Sequence, residues 1–225
     1  MKNLIKQVPI CPDSSVAQLL LGVSSRLSHV FRYSSLPVNR PENVAEHSFY
    51  VSLYSLALAK QLEEIGVEVN KAKLLESAIL HDLDEAMSGD FLRAVKYGIP
   101  GLKEALDDAS NSFFLTICDS LGISSVNPKE FKSDDHEGHI LAYVDLLCVV
   151  QYAVKELISG NRHMYSILDE VGEYLDERIN KVLKSTNCCS EFRSYFKLLH
   201  HDTREFLQVA RDYFAVPPKI TERSY

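Results

Sequence analysis

An all-α fold is the class this sequence predicts, and three observations lead to it. Glycine and proline are sparse, at 9 and 8 of 225 residues. Strand-type alternation of apolar and polar residues is scarce. Long blocks instead repeat apolar residues at three- and four-residue spacing, and most are bounded by a capping residue, a glycine or a proline.

The blocks follow in order. "CPDSSVAQLLLGVSSRLSHVF" opens on Pro12, Asp13 and Ser14 and spaces Leu19, Leu20, Val23, Leu27 and Val30 as a helix would. Two prolines and small polar residues make "RYSSLPVNRPEN" a loop. A long helix is predicted over about Ala45 to Ile65, and "GVEVN" ends it. Asn70 caps a third helix, "KAKLLESAILH". "HDLDEAMSGDFLRAVKYG" holds a turn at Ser88-Gly89, after which Ser88 or Asp90 caps a short helix. Another helix runs from Pro100 or Gly101 to Gly122, and "ISSVNPKEFKS" connects it onward. "DDHEGHILAYVDLLCVVQYAVKELISG" is a long apolar helix stopping at Gly160, and Asn161 caps the next. The last block ends before Pro217-Pro218, which cannot continue a helix. Neither an internal repeat nor a low-complexity linker divides the chain. One domain over residues 1–225 is expected, with chemistry-bearing motifs in about 25–156 and C-terminal helices in about 161–214.

Composition narrows the functions. Hydrophobic residues at 46% and charged residues at 24% are globular values, which excludes a disordered chain. A net charge of −7 argues against gripping a nucleic-acid polymer through its phosphates, although a few local cations can still dominate one pocket. Five cysteines without a C-x-x-C pair form neither a disulfide framework nor a zinc ribbon, so a reducing cytoplasm is expected. No apolar run reaches membrane-spanning length, so no membrane partner is expected.

The string "ILHDLDEAMSGD" carries most of the chemistry. His81 and Asp82 close an apolar helix, and an adjacent imidazole and carboxylate can both ligate one divalent cation. Glu85 follows at three- and four-residue spacing, so continued helical geometry would put all three on one side. Asp145 interrupts "ILAYVDLLCVV", where an ionised carboxylate is costly unless paired, hydrogen-bonded or metal-bound. The alternative is a solvated stripe or a bond to a buried helix end. His47 opens a core helix within "ENVAEHS". A first-turn position disfavours its imidazolium, and Glu46 beside it could orient either a neighbouring group or an arginine from the preceding loop.

The order His47, His81-Asp82, Asp145 resembles the signature of the HD-domain metal-dependent phosphohydrolases. "ENVAEHS", "HDLDEAMSGDFLRAVKY" and the Asp145 helix are similar to the bacterial 5′-deoxynucleotidase branch and to related phage-encoded enzymes that remove dATP. The resemblance spans roughly Ser25 to Glu156 and implies a single-domain helical HD-domain bundle. It further implies that His47, His81, Asp82 and Asp145 bind one divalent metal: Co²⁺, Mn²⁺ or Zn²⁺, or Mg²⁺ with a triphosphate substrate. Glu85 matches the catalytic acidic residue that handles the proton of the attacking water. Arg32, fifteen residues before His47, matches an arginine of the nucleotide-binding loop. Asp90 matches a residue near the sugar, and Lys96 the lysine of the V-K-Y tail that faces the phosphates. Tyr33 stands where relatives often carry tryptophan for stacking on the base, and still offers an aromatic face. Arg93 replaces a small hydroxyl residue and either reaches further phosphates or is a surface arginine.

The implied function is metal-dependent water attack on the α-phosphorus of a (deoxy)nucleotide. The products are a nucleoside and either phosphate or tripolyphosphate. A cyclic- or signalling-nucleotide hydrolase on the same scaffold, and a non-catalytic nucleotide-binding regulator, are the alternatives. A homo-oligomer is expected, in the cytoplasm, or in the host cytoplasm for a phage-encoded chain. His136 and His139 read as a polar first turn, and His200-His201 as a solvated pair with no carboxylate placed to complete a site.

Overall fold

Residues 20–91, 96, 98–123 and 126–215 are described by a computed structural model. Among them are seven α-helices, two 3-10 turns and a single isolated bridge between Phe31 and Asn43. Helix α1 spans Val44–Glu64, and Asn43 caps it by accepting the Glu46 N–H at 2.9 Å. Its buried residues Val44, His47, Val51, Ser55, Leu58 and Leu62 recur at helical spacing, so the first-turn histidine shares the core face. Helix α2, Lys71–Leu80, starts at Asn70, whose side chain accepts the Lys73 N–H as its position predicts. After a turn at 81–84 comes α3, the single helical turn Glu85–Ser88, stopped by Gly89 at φ 76°. Helix α4 is Leu102–Leu121, ended by Gly122 at φ 73°.

A 3-10 turn at Pro128–Lys132 leads into α5, His136–Ile158, capped by Asp135. Gly138 is required in its first turn, because a Cβ there would sit 2.1 Å from the Ser133 carbonyl oxygen. Helix α5 packs against α1, α2, α6 and α7 and carries the most buried residues, including Ile140, Tyr143, Val144 and Ala153. That central place explains its near-continuous apolar sequence. Helices α6, Met164–Lys184, and α7, Ser190–Ala215, are amphipathic and cover α5 from one side. The paired α1 and α2 cover it from the other.

Two expectations change. The block predicted as one helix before residue 31 is α-helical at residues 20–21, bends at Gly22 and goes on as a 3-10 turn at Val23–His29 with no fully buried residue. Ser25 and Ser28 donate to the carbonyls three residues back, at 2.7 and 3.0 Å, a local bond that competes with helical pairing. The earlier part of that block lies outside the described residues. Asn161 does not cap α6 directly, since His163 holds that position. Its Oδ1 accepts the His163 N–H in the approach turn, while its Nδ2 donates to Pro37 O and Glu156 Oε2. The short helix predicted after Gly89 falls on residues 92–97, most of which lie outside the described set.

Candidate metal centre and its cleft

Three separate segments converge beside the middle of α5. His47 enters from the first turn of α1 and is fully buried. His81 and Asp82 follow the last turn of α2, and Asp145 comes from α5 itself. His47 Nε2 lies 3.1 Å from Asp145 Oδ1 and 3.7 Å from Asp82 Oδ2, and His81 Nε2 lies 3.1 Å from that same Asp82 oxygen. Ligand atoms about 2.1 Å from one cation stand roughly 3.0–3.4 Å apart in octahedral or tetrahedral arrangements. The spacing fits. His47, His81 and Asp82 form the tight group, with ligand atoms within 4.8 Å of one another, and Asp145 joins it through His47.

The ring nitrogens are poised for such an ion. His81 Nδ1 is 2.9 Å from the Ala78 carbonyl, which can only accept, so Nδ1 carries the proton and Nε2 presents its lone pair. His81 Nε2 and both nitrogens of His47 are buried without a hydrogen-bond partner. Each orphaned buried nitrogen costs about 1–3 kcal/mol, and a divalent cation would satisfy one on each ring. Two imidazoles with carboxylates suit Zn²⁺, Mn²⁺ or Co²⁺ in kind.

Electrostatics divide the neighbouring groups. Burial, then the Arg32 charge, holds His47 below its usual range, against the pull of Asp145 and Asp82. Burial opposes ionisation of Asp82, but the rings of His81 and His47 with Arg32 bring it far below the carboxylate range. Burial lowers His81 too, yet Asp82 outweighs it and raises the ring to about 9, a proton that a bound cation would replace. Glu85 goes the other way. Burial, then the charges of Asp82 and Asp90, lifts its carboxyl well above the usual range, with Arg32 opposing. A carboxyl so poised suits proton transfer.

The other expected site residues divide in two. Arg32 Nη1 is 3.7 Å from Asp82 Oδ2, and its Nε is 3.9 Å from Glu42 Oε2. Glu42, not Glu46, is therefore the partner of that arginine. Glu46 is exposed on the first turn of α1. Tyr33 has left-handed backbone geometry, φ 56°, and donates its N–H to Asp90 Oδ2 at 3.2 Å. One face of its ring is already stacked on Tyr152, centroids 5.2 Å apart and planes 5° from parallel. The Arg32 guanidinium also lies over this ring, 5.8 Å from its centroid. Asp90 thus secures the loop at Tyr33. Lys96 pairs with Asp107 at 2.9 Å and lines a cleft of about 360 Å³ together with His81, Asp82, Glu85 and Asp145. That volume falls within the range of small-molecule sites. Arg93 lies outside the described residues.

Sequence reasoning missed the support behind the loop. Glu156, 1% exposed, accepts the N–H groups of Asn39 and Arg40 at 2.7 and 2.8 Å and the Asn161 side chain at 2.7 Å. Tyr152 donates its hydroxyl to Arg40 O at 3.1 Å. Both lie on α5 more than a hundred residues from Asn39 and Arg40, so local pattern could not pair them. His200 also departs from its expected solvated place. Half-buried, it lies 3.1 Å from Asp176 and 3.2 Å from the Tyr143 hydroxyl, joining α5, α6 and α7. His136 and His139 stay clear of the metal cluster, and His139 pairs with Asp134 at 2.9 Å.

The chain resembles known proteins along most of its length. The family model described as "5′-deoxynucleotidase YfbR-like" matches residues 20–196. A 4′-phosphooxetanocin A phosphatase of Priestia megaterium is 31% identical over 179 residues, covering 73% of this chain and 92% of that protein. A 5′-deoxynucleotidase of Pasteurella multocida is 27% identical over 150 residues, 61% of this chain and 73% of its own. Among solved structures, the cyanophage S-2L HD phosphohydrolase, bound to dA and one catalytic Zn²⁺, superposes with a TM-score of 0.58 at 19% identity. That match covers 82% of this chain and 95% of the other. An HD-domain phosphohydrolase of Listeria innocua gives a TM-score of 0.60 at 23% identity, over 85% and 87%. At these identities the structural matches establish the helical HD-domain fold.

Proposed function

This chain belongs to the YfbR-like 5′-deoxynucleotidase family, and on that premise we propose that it is a metal-dependent phosphohydrolase of 5′-deoxynucleotides. The observation that carries the reading is the set of buried imidazole nitrogens left without partners beside Asp82 and Asp145 at the spacing of a shared cation. His47, His81, Asp82 and Asp145 would hold one divalent metal, in kind Zn²⁺, Mn²⁺ or Co²⁺. When bound, such a cation supplies a Lewis acid for the phosphate and offsets charge developing on phosphorus.

The remaining steps belong to the chain. Glu85 accepts the proton of the attacking water and returns it to the departing O5′ of the sugar. Arg32, kept protonated against burial by Tyr33, Asp145, Asp82 and Glu85, faces the cluster and can take a phosphate oxygen. Lys96 supplies a second cation on the cleft wall. Asp90 and Tyr152 fix the Tyr33 loop. Its ring, stacked on Tyr152 and with the Arg32 guanidinium 5.8 Å from its centroid, is the aromatic group beside which a base would rest. No helix of the described residues is long and apolar enough to cross a membrane, and we place the enzyme in the cytoplasm, acting on a small nucleotide as a homo-oligomer.

The test is product analysis after incubation with dAMP, dATP and the other deoxynucleotides, with each divalent metal in turn. Release of nucleoside that depends on added metal supports the reading. Protein purified without chelator that holds no metal, and that hydrolyses nothing with any of them, would defeat it.

A further inference from the structure

A second cavity of about 500 Å³ adjoins the catalytic cleft, and the two share Lys132, Ala142 and Arg178 as lining residues. Beyond the shared wall it is lined by Lys181 and Lys184. Arg178, Lys181 and Lys184 stand three residues apart along the last turns of α6, so they occupy neighbouring positions on that helix surface. Lys132 faces them from the 3-10 turn. Apart from the cluster and Glu85, three acidic groups, Asp84, Asp107 and Asp134, line the two cavities. Asp134 is held by His139 and by the Asn187 side chain, and Asp107 by Lys96 and Lys103. Among the described residues, no carboxylate forms an ion pair with Lys132, Arg178, Lys181 or Lys184. These four cations, none of them so paired, share the second cavity as one strip, with Asp134 the single carboxylate of its lining, a positive balance unexpected in a chain of net charge −7.

A basic final turn can simply offset a helix macrodipole. That account covers Lys181 and Lys184. It gives no reason for Lys132, on another element, to face the same cavity, nor for the cavity to open into the metal cleft. We propose that the strip is a polyphosphate-binding extension of the active site. In order from the metal cluster, Lys132 and Arg178 meet the phosphate after the one under attack, and Lys181 and Lys184 meet the terminal one. The Arg32–Tyr33–Asp90 loop lines neither cavity, so nucleoside and phosphate chain leave the metal in different directions. The second cavity also has no aromatic wall apart from His139, which suits charge rather than a base.

The inference rests on the phosphohydrolase reading and specifies its substrate as a deoxynucleoside triphosphate. Water adds to the α-phosphorus and the P–O5′ bond breaks. The water proton passes through Glu85 to O5′, giving deoxynucleoside and intact tripolyphosphate. The strip holds that polyphosphate while its bond to the sugar is cut.

Two measurements test it. Calorimetry of metal-loaded protein with inorganic tripolyphosphate should show binding that weakens at least about tenfold in Lys181→Glu/Lys184→Glu, with orthophosphate affected far less. The same substitutions should lower kcat/KM for dATP at least about tenfold more than for dAMP. Equal tripolyphosphate affinity in both proteins, or an equal loss for the two nucleotides, would overturn the proposal. An enzyme that hydrolyses no nucleotide would instead overturn the phosphohydrolase reading, while calorimetry still judges the strip. Lys132→Ala provides a separate surface substitution on a different element, with the same expected direction in both assays.

Discussion

Replacing Glu156 should loosen the 32–40 loop, the proposed nucleotide contact, without touching the candidate metal cluster. Its carboxylate receives three N–H bonds, two of them from the backbone of Asn39 and Arg40. Bonds to a charged acceptor contribute about 1.5–3 kcal/mol each. Asn39 and Arg40 are exposed and their freed N–H groups can turn to water, whereas buried Asn161 cannot. Full loss is therefore confined mainly to the Asn161 bond, with partial loss at the other two. We expect Glu156→Ala to destabilise the protein by about 3 kcal/mol, lowering Tm by roughly 6–12 °C for a chain of this size. Glu156→Gln keeps one acceptor oxygen and sets an NH₂ against a backbone donor, so it should lose roughly half as much. Thermal unfolding by circular dichroism gives the stability, and steady-state kinetics on dAMP gives the function. KM should rise several-fold in Glu156→Ala while metal content stays at one per chain. A Tm within about 2 °C of the wild type, or lost metal with an unchanged KM, would refute the clamp.

Glu85→Ala should lower kcat by about 10²–10⁴ while nucleotide still binds, as calorimetry with a slowly turned-over substrate would show. His47→Ala should abolish metal retention, measured by elemental analysis after gel filtration, and activity with it. Burial, opposed by Arg32, pushes Glu42 up to about 7 from its usual 4.5. The unfolded chain releases this proton first, so ionising Glu42 costs stability progressively as pH rises from about 4.5 to 7. Glu42→Gln should accordingly unfold later than wild type above pH 7, by up to about 3 kcal/mol, and match it near pH 4.5; denaturant midpoints across that range check the sign. Gly138→Ala should cost at least about 2 kcal/mol in chemical denaturation, because its methyl would collide with the Ser133 backbone.

Helix positions were legible because each has a local cause. Asn70 and the apolar spacing of α1 act within a few residues, so the sequence shows them directly. Asp145 was legible as a problem: a charge in an apolar helix needs a partner, and His47 Nε2 lies 3.1 Å away. Which acid would meet Arg32 was not legible. Glu42 and Glu46 flank the same helix start, and only the bridge at Phe31–Asn43 brings the former alongside Arg32. The Ser-rich block before residue 31 misled, since its hydroxyls bond locally and its apolar residues Val23 and Leu27 pack only partly buried against the edge of the core. The Tyr143–His200–Asp176 chain joins three helices and the Glu156 clamp ties α5 to the distant 39–40 loop, and tertiary packing alone decides such pairs.

Asp145, Tyr152 and Glu156 are spaced by seven and eleven residues on one uninterrupted helix. At about 100° per residue they fall within roughly 20° of a common line, and at 1.5 Å per residue the outer two are about 16 Å apart. A rigid rod therefore measures the separation between the proposed metal centre and the loop proposed to receive the nucleoside, and fixes their relative orientation as well. Natural or engineered changes of substrate length cannot come from sliding one against the other. They must come from the loop's own residues or from the far side of the cleft, while a single inserted residue between Asp145 and Tyr152 would swing the two functions apart by a quarter turn or more.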